Sequence, residues 1–597
     1  MSEQSERMPN HRDRFPTLVG VQIAGEYANV RRREPSTGER ILRDETGILS
    51  EKIIELTTYT RPDDTFAQIE FTLPMEPEAP YQVSTGGWQS WSTSTFSKGL
   101  FALDNTVGPR RLHDALGLKT LPYIEPLSNT EDLHINEGRS YGIVNFRNMR
   151  SGENTFLGVI PSLETVEDIR YRVDGQQIII SVRKHLDKVE QEKERMFRIY
   201  LGQGNPRGSK GESLDDVNVH PGSYVDLLLA FNRELSGLPK NIPLMQNRII
   251  GFSWAAFGPG VTQEKVTGEL NAGKGVIDTY IMDDGAFAPG SFMEIDRKKF
   301  PDVEQLTAQA KESGISPGIW INPFIVRSQD LHAVPPEYLM KDEGGNPMQL
   351  PTSILSSTGH PLRPTQKPFG IDISRQEARQ LIVDKVVRLA EQGFDVFKAD
   401  FLSGPLLGHL QNKDKTPVEY YRLAFEEIRA GVRQKIGKEI EIIGCGAPMM
   451  ESIGLFNAMR FTSDTALPNM EELPTYGEII SLANKLGIVD RFFSKSKNTE
   501  AYKIAASTAA RRALLFRGVH GLILDGVHIA DPKIVADTKI RGAINQVFLT
   551  LHTLGIDNIT IGDSLVRLGT DGIYQLQEYI TQFKEGGPKR NLRIQEK

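Results

Sequence analysis

The chain has 597 residues, of which 39% are hydrophobic and 25% are charged, and its formal net charge is −7. A single hydrophobic core stops growing at about 250–300 residues, so two or more domains are expected. The basic clusters are short and lie close to acids, which argues against a nucleic-acid partner, because phosphate contacts call for clustered Lys and Arg.

The number of cysteines and the length of the apolar runs bear on the cellular location of the protein. Cys445 is the single cysteine, so no internal disulfide can form, and this usage fits a reducing compartment. No run of about 18 apolar residues is present, so no membrane span is expected. Residues 1–14 are polar and charged, so we do not expect a signal peptide, and a cytoplasmic location is the expectation.

Residues 1–240 have the pattern of antiparallel β-structure. Short alternating apolar and polar runs, such as residues 67–73 and 177–182, are typical of strands with one solvated face. Many such strands before a linker-like stretch at residues 234–241 predict an N-terminal β-sandwich domain. Trp88 and Trp91 lie in a GGWQSWS segment of this domain, which is a candidate loop for reaching over a neighbouring domain.

Residues 241–570 alternate between short apolar strands and helical segments. The eight candidate strands begin near Arg248, Asp278, Ser316, Phe394, Glu439, Ala458, Val519 and Asp557. Eight βα units predict a (β/α)8 TIM barrel, whose active site lies at the carboxyl ends of the strands. The protein is therefore expected to be multidomain, with residues 571–597 forming a C-terminal helix and a charged tail.

One connecting helix shows clear start and stop signals. The segment Ser374–Glu377 has the spacing of a capping box, and Gly393 provides a stop. The helix leads directly into the strand that carries Lys398 and Asp400. Because strand side chains alternate, these two residues share one face, and a nearby ammonium favours an ionised carboxylate. Asp400 is thus a candidate nucleophile, and the alternative is a buried ion pair that braces the barrel.

Asp464 closes another strand and offers a second carboxylate. Two carboxylates that face one pocket are the groups that glycoside hydrolysis needs, and they lie about 5–5.5 Å apart in retaining enzymes. The alternative for Asp464 is a helix N-cap. Asp283 and Asp284 end the second strand, where they can accept hydrogen bonds from sugar hydroxyls or bind a divalent metal. Sugar binding is favoured because no His cluster or further acid-rich loop completes a metal site.

The ordered set of motifs resembles glycoside hydrolase family 36, the α-galactosidases of a retaining clan. The matching segments, in the family's order, are GGWQSWS (86–92), GFSWAAFG (251–258), DDG (283–285), GIWINPF (318–324), KAD (398–400), GCG (444–446) and RFTSD (460–464). The resemblance implies a β-sandwich and a barrel, activity on an oligosaccharide or glycoside substrate, and no cofactor or metal. It does not specify the oligomeric state, and a homo-oligomer is one option.

Roles for individual residues also follow from the resemblance. It implies Asp400 as the nucleophile and Asp464 as the general acid/base, with Asp283 and Asp284 holding the 4- and 6-hydroxyls of galactose. The other residues implied to contact the sugar are Lys398, Arg460, Trp320, Cys445 and one Trp of the pair Trp88 and Trp91.

Two departures from the family pattern leave the bound sugar open. Ala286 replaces the usual aromatic residue after Asp-Asp-Gly, and residues 446–450 replace a Ser-Gly-Gly-rich segment. An α-N-acetylgalactosaminidase or a raffinose-synthase-like α-galactosyl transferase is therefore an alternative. A non-catalytic carbohydrate-binding module is disfavoured, because such a protein has no use for both Asp400 and Asp464.

Overall fold

The described part of the chain forms two compact units. The computed structural model describes residues 17–23, 40–44, 47–60, 66–76, 79, 81–86, 96–97, 137–186, 193–204, 224–350, 367–406, 410–462, 512–524, 556 and 558–585. One unit contains the described residues up to Glu234, and the other contains the described residues from Leu235 onward. The domain limits at residues 240 and 570 stay sequence predictions.

Two antiparallel sheets make up the first unit. A five-stranded sheet has the order β1-β4-β11-β10-β7, and a seven-stranded sheet has the order β2-β3-β12-β9-β8-β5-β6. The strands are β1 (Thr17–Ile23), β2 (Arg40–Asp44), β3 (Gly47–Thr60), β4 (Phe66–Pro74), β5 (Tyr81–Thr85), β6 (Phe96–Ser97), β7 (Glu137–Tyr141), β8 (Ile143–Asn148), β9 (Asn154–Val159), β10 (Val166–Asp174), β11 (Gln177–His185) and β12 (Lys193–Gly204).

The core of this unit lies between the two sheets. Ile178, Ile180 and Val182 alternate along β11 and are buried together with Phe146 and Phe197 of the other sheet. This period-two burial is the alternation that was visible in the sequence, and it confirms the predicted antiparallel β-sandwich. A helix, α1 (Tyr224–Ser236), follows the strands of this unit in the chain.

An eight-stranded parallel sheet, curved into a nearly closed barrel, forms the second unit. Its order is β21-β20-β19-β18-β15-β14-β13-β22. The strands are β13 (Ile249–Phe252), β14 (Thr279–Met282), β15 (Ser316–Ile321), β18 (Val396–Ala399), β19 (Glu441–Gly444), β20 (Ala458–Arg460), β21 (Leu522–Ile523) and β22 (Ile559–Ile561). Each predicted barrel strand is present, which confirms the predicted (β/α)8 fold class. A two-stranded ribbon, β16 (Ile325–Arg327) with β17 (Pro368–Gly370), follows β15.

Helices connect the barrel strands. They are α2 (Ser253–Phe257), α3 (Gln263–Gly273), α4 (Val303–Glu312), α5 (Gln376–Glu391), α6 (Pro417–Ile436) and α7 (Leu565–Lys584), with 3-10 turns at Gly258–Gly260, Ser328–Ala333, Pro336–Tyr338 and Gly404–Leu406. Within the described residues, none of the helices combines the length and apolarity needed to cross a membrane.

The start of α5 differs from the sequence prediction. Arg375 is the N-cap, and no side chain caps the helix. The Ser374 hydroxyl instead donates to Asp372 Oδ1 at 2.5 Å and accepts from the Asn412 backbone N–H at 2.9 Å. The predicted capping box is therefore wrong, because the serine forms contacts with a distant loop. The predicted stop is present: Gly393 has φ +104°, and a Cβ there would lie 2.3 Å from Thr307 Oγ1.

Helix α7 is held to α3 by a buried carboxylate. Glu269 of α3 accepts from the Ser564 hydroxyl at 2.6 Å and from the Leu565 backbone N–H at 2.8 Å. Because these groups lie at the first turn of α7, the carboxylate satisfies backbone and side-chain donors where the helix begins. The C-terminal helix therefore packs within the barrel unit.

We expect a buried histidine of the barrel unit to make stability fall in mild acid. His520 Nε2 lies 2.9 Å from the Met449 carbonyl oxygen, and burial lowers the pKa of His520 from 6.5 to about 4. Between these values the unfolded chain binds a proton that the folded chain does not, so stability falls as pH drops from 6.5 to 4. The full shift corresponds to about 3 kcal/mol.

Urea unfolding at pH 7 and pH 5 measures this dependence. The matched control is His520→Gln, whose amide N–H can still donate to Met449 but does not titrate. We expect the variant to lose much less stability than the parent protein between the two pH values. Equal losses in both proteins would contradict the assignment.

Candidate active site

Predicted site residues from five neighbouring strands meet at one end of the barrel. Parallel strands have their carboxyl ends at the same edge, and the order β14-β15-β18-β19-β20 makes these strands consecutive neighbours. The residues at or just beyond these strand ends are Asp283, Asp284, Trp320, Lys398, Asp400, Cys445 and Arg460. The fold therefore brings together the predicted residues that lie within the described part of the chain.

Residues on one face of β18 pass from an apolar layer of the barrel interior to a polar one along the strand. Val396 is buried with Ile250, Ile281 and Ile443 in an apolar cluster. Two residues further along its strand, Lys398 makes a polar contact with Asp283, which directly follows β14. Apolar packing thus fills the lower barrel, and polar groups begin where the strands end.

Lys398 and Asp283 form a buried ion pair between β18 and β14. Lys398 Nζ lies 2.7 Å from Asp283 Oδ2, and the two side chains are 4% and 3% exposed. Burial by itself lowers the pKa of Lys398, but the electrostatic attraction of Asp283, and then of Cys445 and Asp400, outweighs burial and raises the pKa above its ordinary value. Lys398 is therefore a fixed cation next to Asp400.

Asp400 is buried, and both of its carboxylate oxygens accept a hydrogen bond. Trp320 Nε1 donates to Asp400 Oδ2 at 2.9 Å, and the Phe401 backbone N–H donates to Oδ1 at 2.8 Å. Phe401 has φ +54°, a left-handed conformation that costs on the order of 1 kcal/mol or more in a non-glycine residue. These contacts hold the carboxylate in one orientation at the strand end.

The Asp283-Asp284-Gly285 turn follows β14 and is also held by Ser253, which directly follows the neighbouring strand β13. The Asp283 backbone N–H donates to the Ser253 hydroxyl at 2.8 Å. Gly285 has φ +114°, and a Cβ there would lie 2.6 Å from the Cα of Pro259. The turn therefore requires glycine at this position, which explains the third residue of the motif.

Arg327 is a site residue that the sequence analysis missed. Its Nη2 lies 2.7 Å from Asp284 Oδ1, and its guanidinium carbon lies 5.6 Å from the centroid of the Trp320 ring. The residue ends the short strand β16, which follows the GIWINPF segment. An arginine so close to an aromatic motif was the available signal, but its partner lies 43 positions away in the chain.

Asp283 and Asp284 are the two carboxylates that the sequence analysis considered as possible metal ligands. Asp283 is paired with Lys398, and Asp284 is paired with Arg327. In the part of the chain that the structure describes, no group of three or more His, Cys, Asp or Glu side chains is placed to hold a metal ion. Both carboxylates already have a cationic partner, and hydroxyl groups are ligands that such ion pairs can bind without displacing the cation.

Cys445 and Arg460 lie on the other side of β18. Arg460 Nη1 lies 3.3 Å from Cys445 Sγ, and both residues are buried. Three residues with predicted roles, Asp464, Trp88 and Trp91, lie outside the described residues. Their roles stay predictions, and so does the distance between the carboxyl groups of Asp400 and Asp464.

Sequence comparison finds a partial match to a glycoside hydrolase. No protein-family model matches the chain. In an alignment 236 residues long that covers 36% of the chain, the sequence is 27% identical to a protein named A type blood α-D-galactosamine galactosaminidase, from Flavonifractor plautii. The match spans 21% of that relative's length.

Structure comparison covers nearly the whole chain. TtGalA, an α-galactosidase from Thermus thermophilus solved with p-nitrophenyl α-D-galactopyranoside, has a TM-score of 0.58 at 15% identity over 95% of this chain and 94% of its own. AgaA, a GH36 α-galactosidase from Geobacillus stearothermophilus, has a TM-score of 0.53 at 10% identity over 95% of this chain and 75% of its own. This chain therefore has the fold of these α-galactosidases, of which AgaA is a GH36 enzyme.

Proposed function

We propose that this protein is a retaining α-galactosidase that removes terminal α-galactosyl residues from oligosaccharides or glycosides. The observation that carries the proposal is the environment of Asp400, a buried carboxylate at a barrel strand end, oriented by Trp320 and next to the Lys398–Asp283 pair. Solved structures of the same fold contain stachyose or raffinose, which supports an oligosaccharide substrate. The single buried cysteine fits a reducing compartment, so the proposal includes a cytoplasmic location.

The proposed reaction has two displacement steps. Asp400 attacks the anomeric carbon from the β face, the bond to the leaving oxygen breaks, and Asp464 transfers a proton to that oxygen. The intermediate is a β-galactosyl ester of Asp400. Water then attacks the anomeric carbon, Asp464 takes up the water proton, and the ester bond breaks. Galactose leaves in the α configuration, and both carboxyl groups return to their starting states.

The polar groups around Asp400 have separate roles in this scheme. Trp320 holds one carboxylate oxygen and offers a ring face against which the sugar can pack. Asp283 and Asp284 accept hydrogen bonds from the 4- and 6-hydroxyls of the sugar. Lys398 and Arg460 donate to its other oxygens. Because each carboxylate is paired, these residues are held in position before the substrate binds.

A screen of p-nitrophenyl α-glycosides tests the proposal. We expect the α-galactoside to be hydrolysed at least about 100-fold more efficiently than the α-glucoside or α-xyloside, because a buried carboxylate without its hydroxyl partner is costly. The β-galactoside is the matched control and should not be cleaved, because its leaving group occupies the face that Asp400 attacks. A dominant α-glucoside signal would contradict the galactose assignment.

The product anomer tests the mechanism separately. In a proton NMR time course, α-galactose should appear first and then mutarotate. Initial release of β-galactose would contradict the double displacement and leave the substrate assignment standing.

A second function, α-galactosaminidase activity, is favoured by two observations. The 27% identity to the Flavonifractor plautii galactosaminidase extends over 36% of this chain. In addition, Ala286 is smaller than the aromatic residue expected after Asp-Asp-Gly. Adding the α-galactosaminide and the α-N-acetylgalactosaminide to the same screen separates the two functions.

A further inference from the structure

A half-buried lysine contacts the Asp283-Asp284-Gly285 turn from the segment that precedes helix α4. Lys299 Nζ donates one hydrogen bond to the Gly285 carbonyl oxygen at 2.9 Å and another to the Pro259 carbonyl oxygen at 2.9 Å. The proposed reaction gives Lys299 no role, and none of the sequence motifs includes it. A cation that binds the backbone of the proposed sugar-binding turn thus lies outside the reaction scheme.

The two carbonyl groups that Lys299 binds belong to segments that touch each other. Pro259 lies in the 3-10 turn that follows α2, and Gly285 lies in the turn that follows β14. A Cβ at Gly285 would lie 2.6 Å from the Pro259 Cα and 2.8 Å from its oxygen, so the two backbones pack with no room for a side chain. An ammonium group has three donors and can bind several carbonyl oxygens at once. Lys299 therefore links the two segments where they meet.

The main chain of Lys299 is itself held by hydrogen bonds. The Gln263 backbone N–H, at the start of α3, donates to the Lys299 carbonyl oxygen at 2.9 Å, and the Lys299 backbone N–H donates to the Asp296 carbonyl oxygen at 3.0 Å. The Asp296 backbone N–H in turn donates at 2.9 Å to the carbonyl oxygen of Ala286, the residue after Gly285. The lysine side chain therefore reaches the turn from a fixed main-chain position.

The charges around Lys299 include one of the carboxylates of the turn. Burial lowers the pKa of Lys299 below its ordinary value, and the electrostatic attraction of Asp296 and Asp284 opposes this change. The Asp284 side chain is also paired with Arg327 at 2.7 Å. Asp284 is thus held by a guanidinium at its side chain and by Lys299 through the carbonyl group of the next residue.

The contact of Lys299 falls on the residue of the turn with the greatest backbone freedom. Gly285 has φ +114°, a conformation that glycine adopts readily because it has no Cβ. A hydrogen bond weakens steeply when its length or angle leaves the ordinary range, so a carboxylate that recognises a hydroxyl group must be placed accurately. By binding the Gly285 carbonyl oxygen, Lys299 limits the movement of the turn at this residue.

We propose that Lys299 is a positioning residue for sugar recognition: by binding the Gly285 and Pro259 carbonyl oxygens, it fixes the turn that presents Asp283 and Asp284 to the 4- and 6-hydroxyls of galactose. This inference rests on the proposed function. Lys299 acts through the backbone of the turn and does not contact the sugar. Loss of its ammonium group should therefore weaken the recognition of these hydroxyls and leave the groups around Asp400 in place.

Kinetics with deoxy substrates test this inference. The variant is Lys299→Met, which keeps the length of the side chain but cannot donate hydrogen bonds, and the substrates are p-nitrophenyl α-galactoside and its 4-deoxy and 6-deoxy derivatives. We expect kcat/KM for the galactoside to fall by about tenfold or more, because the carboxylates are no longer held in place. The preference for the galactoside over at least one deoxy derivative should also fall by about tenfold.

Lys265→Met is the matched control. Lys265 Nζ donates to the carbonyl oxygen of Gly260, in the same 3-10 turn as Pro259, at 2.9 Å, but among the described residues its hydrogen bond does not reach the Asp283-Asp284-Gly285 turn. This variant should retain both preferences and the kcat/KM of the parent protein. If Lys299→Met instead loses activity equally on all three substrates, its role is structural only, and the inference is overturned.

Hydrogen exchange followed by mass spectrometry separates this inference from the proposed function. The peptide that contains residues 283–285 should exchange faster in Lys299→Met than in the parent protein or in Lys265→Met. If the parent protein cleaves none of the three substrates, the proposed function is wrong and this measurement decides. Faster exchange in Lys299→Met alone would support the positioning of the turn, and equal exchange would overturn it.

Circular dichroism checks that each variant is folded. If Lys299→Met is unfolded, Lys299→Gln takes its place in both measurements, with the same expected results, because its shorter amide does not supply the ammonium charge.

Discussion

Replacing Asp400 with glycine should abolish hydrolysis of p-nitrophenyl α-galactoside, with a fall in kcat on the order of 10⁴-fold or more. The Asp400 carboxylate is the proposed attacking group, and glycine leaves a space at the strand end beside Trp320. Added azide should enter this space and restore turnover by attacking the anomeric carbon. The product should be the β-galactosyl azide, which thin-layer chromatography and NMR can identify.

The configuration of the azide product tests directly whether Asp400 is the nucleophile. Recovery of the α-azide would contradict Asp400 as the nucleophile, because the azide would then have attacked from the opposite face. The control is Asp464→Ala, in which the nucleophile is retained. That variant should lose much more activity on substrates with poor leaving groups than on p-nitrophenyl galactoside, because only the former need protonation.

Replacing Lys398 with methionine should destabilise the protein by about 3–5 kcal/mol, because the Asp283 carboxylate would stay buried without its cation. The comparison is Arg297→Met. Arg297 and Glu304 form an ion pair at 2.6 Å, but their side chains are 46% and 50% exposed. Loss of that surface pair should cost less than about 1 kcal/mol.

Urea unfolding monitored by circular dichroism measures both variants. The double variant Lys398→Met/Asp283→Leu should regain part of the lost stability, because it removes the unpaired charge. If Lys398→Met is no more destabilised than Arg297→Met, the pair is hydrated in the folded protein, and its proposed role as a fixed support for Asp400 is wrong.

The local sequence pattern was sufficient to predict the barrel and the end of the barrel at which the predicted site residues meet. Each barrel strand is a short apolar run between helical segments, and burial of such runs is a property of the local sequence. The shared face of Lys398 and Asp400 follows from period-two alternation alone. The motif resemblance then indicated which strand ends carry chemistry.

Contacts between distant segments could not be predicted in this way. The serine at the start of α5 has the spacing of a capping box, but its hydroxyl binds the backbone N–H of Asn412, 38 positions away, as well as the nearby Asp372. The pairing of Lys398 with Asp283 joins residues 115 positions apart, and the pairing of Trp320 with Asp400 joins residues 80 positions apart.

Arg327 shows most clearly the difference between what the local sequence pattern predicts and what only the folded structure reveals. In the sequence it is a single arginine after an aromatic segment, and its partner Asp284 lies 43 positions away. In the folded protein it pairs with Asp284, lies over Trp320 and lines a cavity at the proposed active site. The sequence by itself thus determined the barrel, its strand order along the chain and the acids at the strand ends, because these depend on residues near one another. The tertiary structure alone decided which charges pair and where space is left for a ligand, because barrel closure brings distant strand ends together.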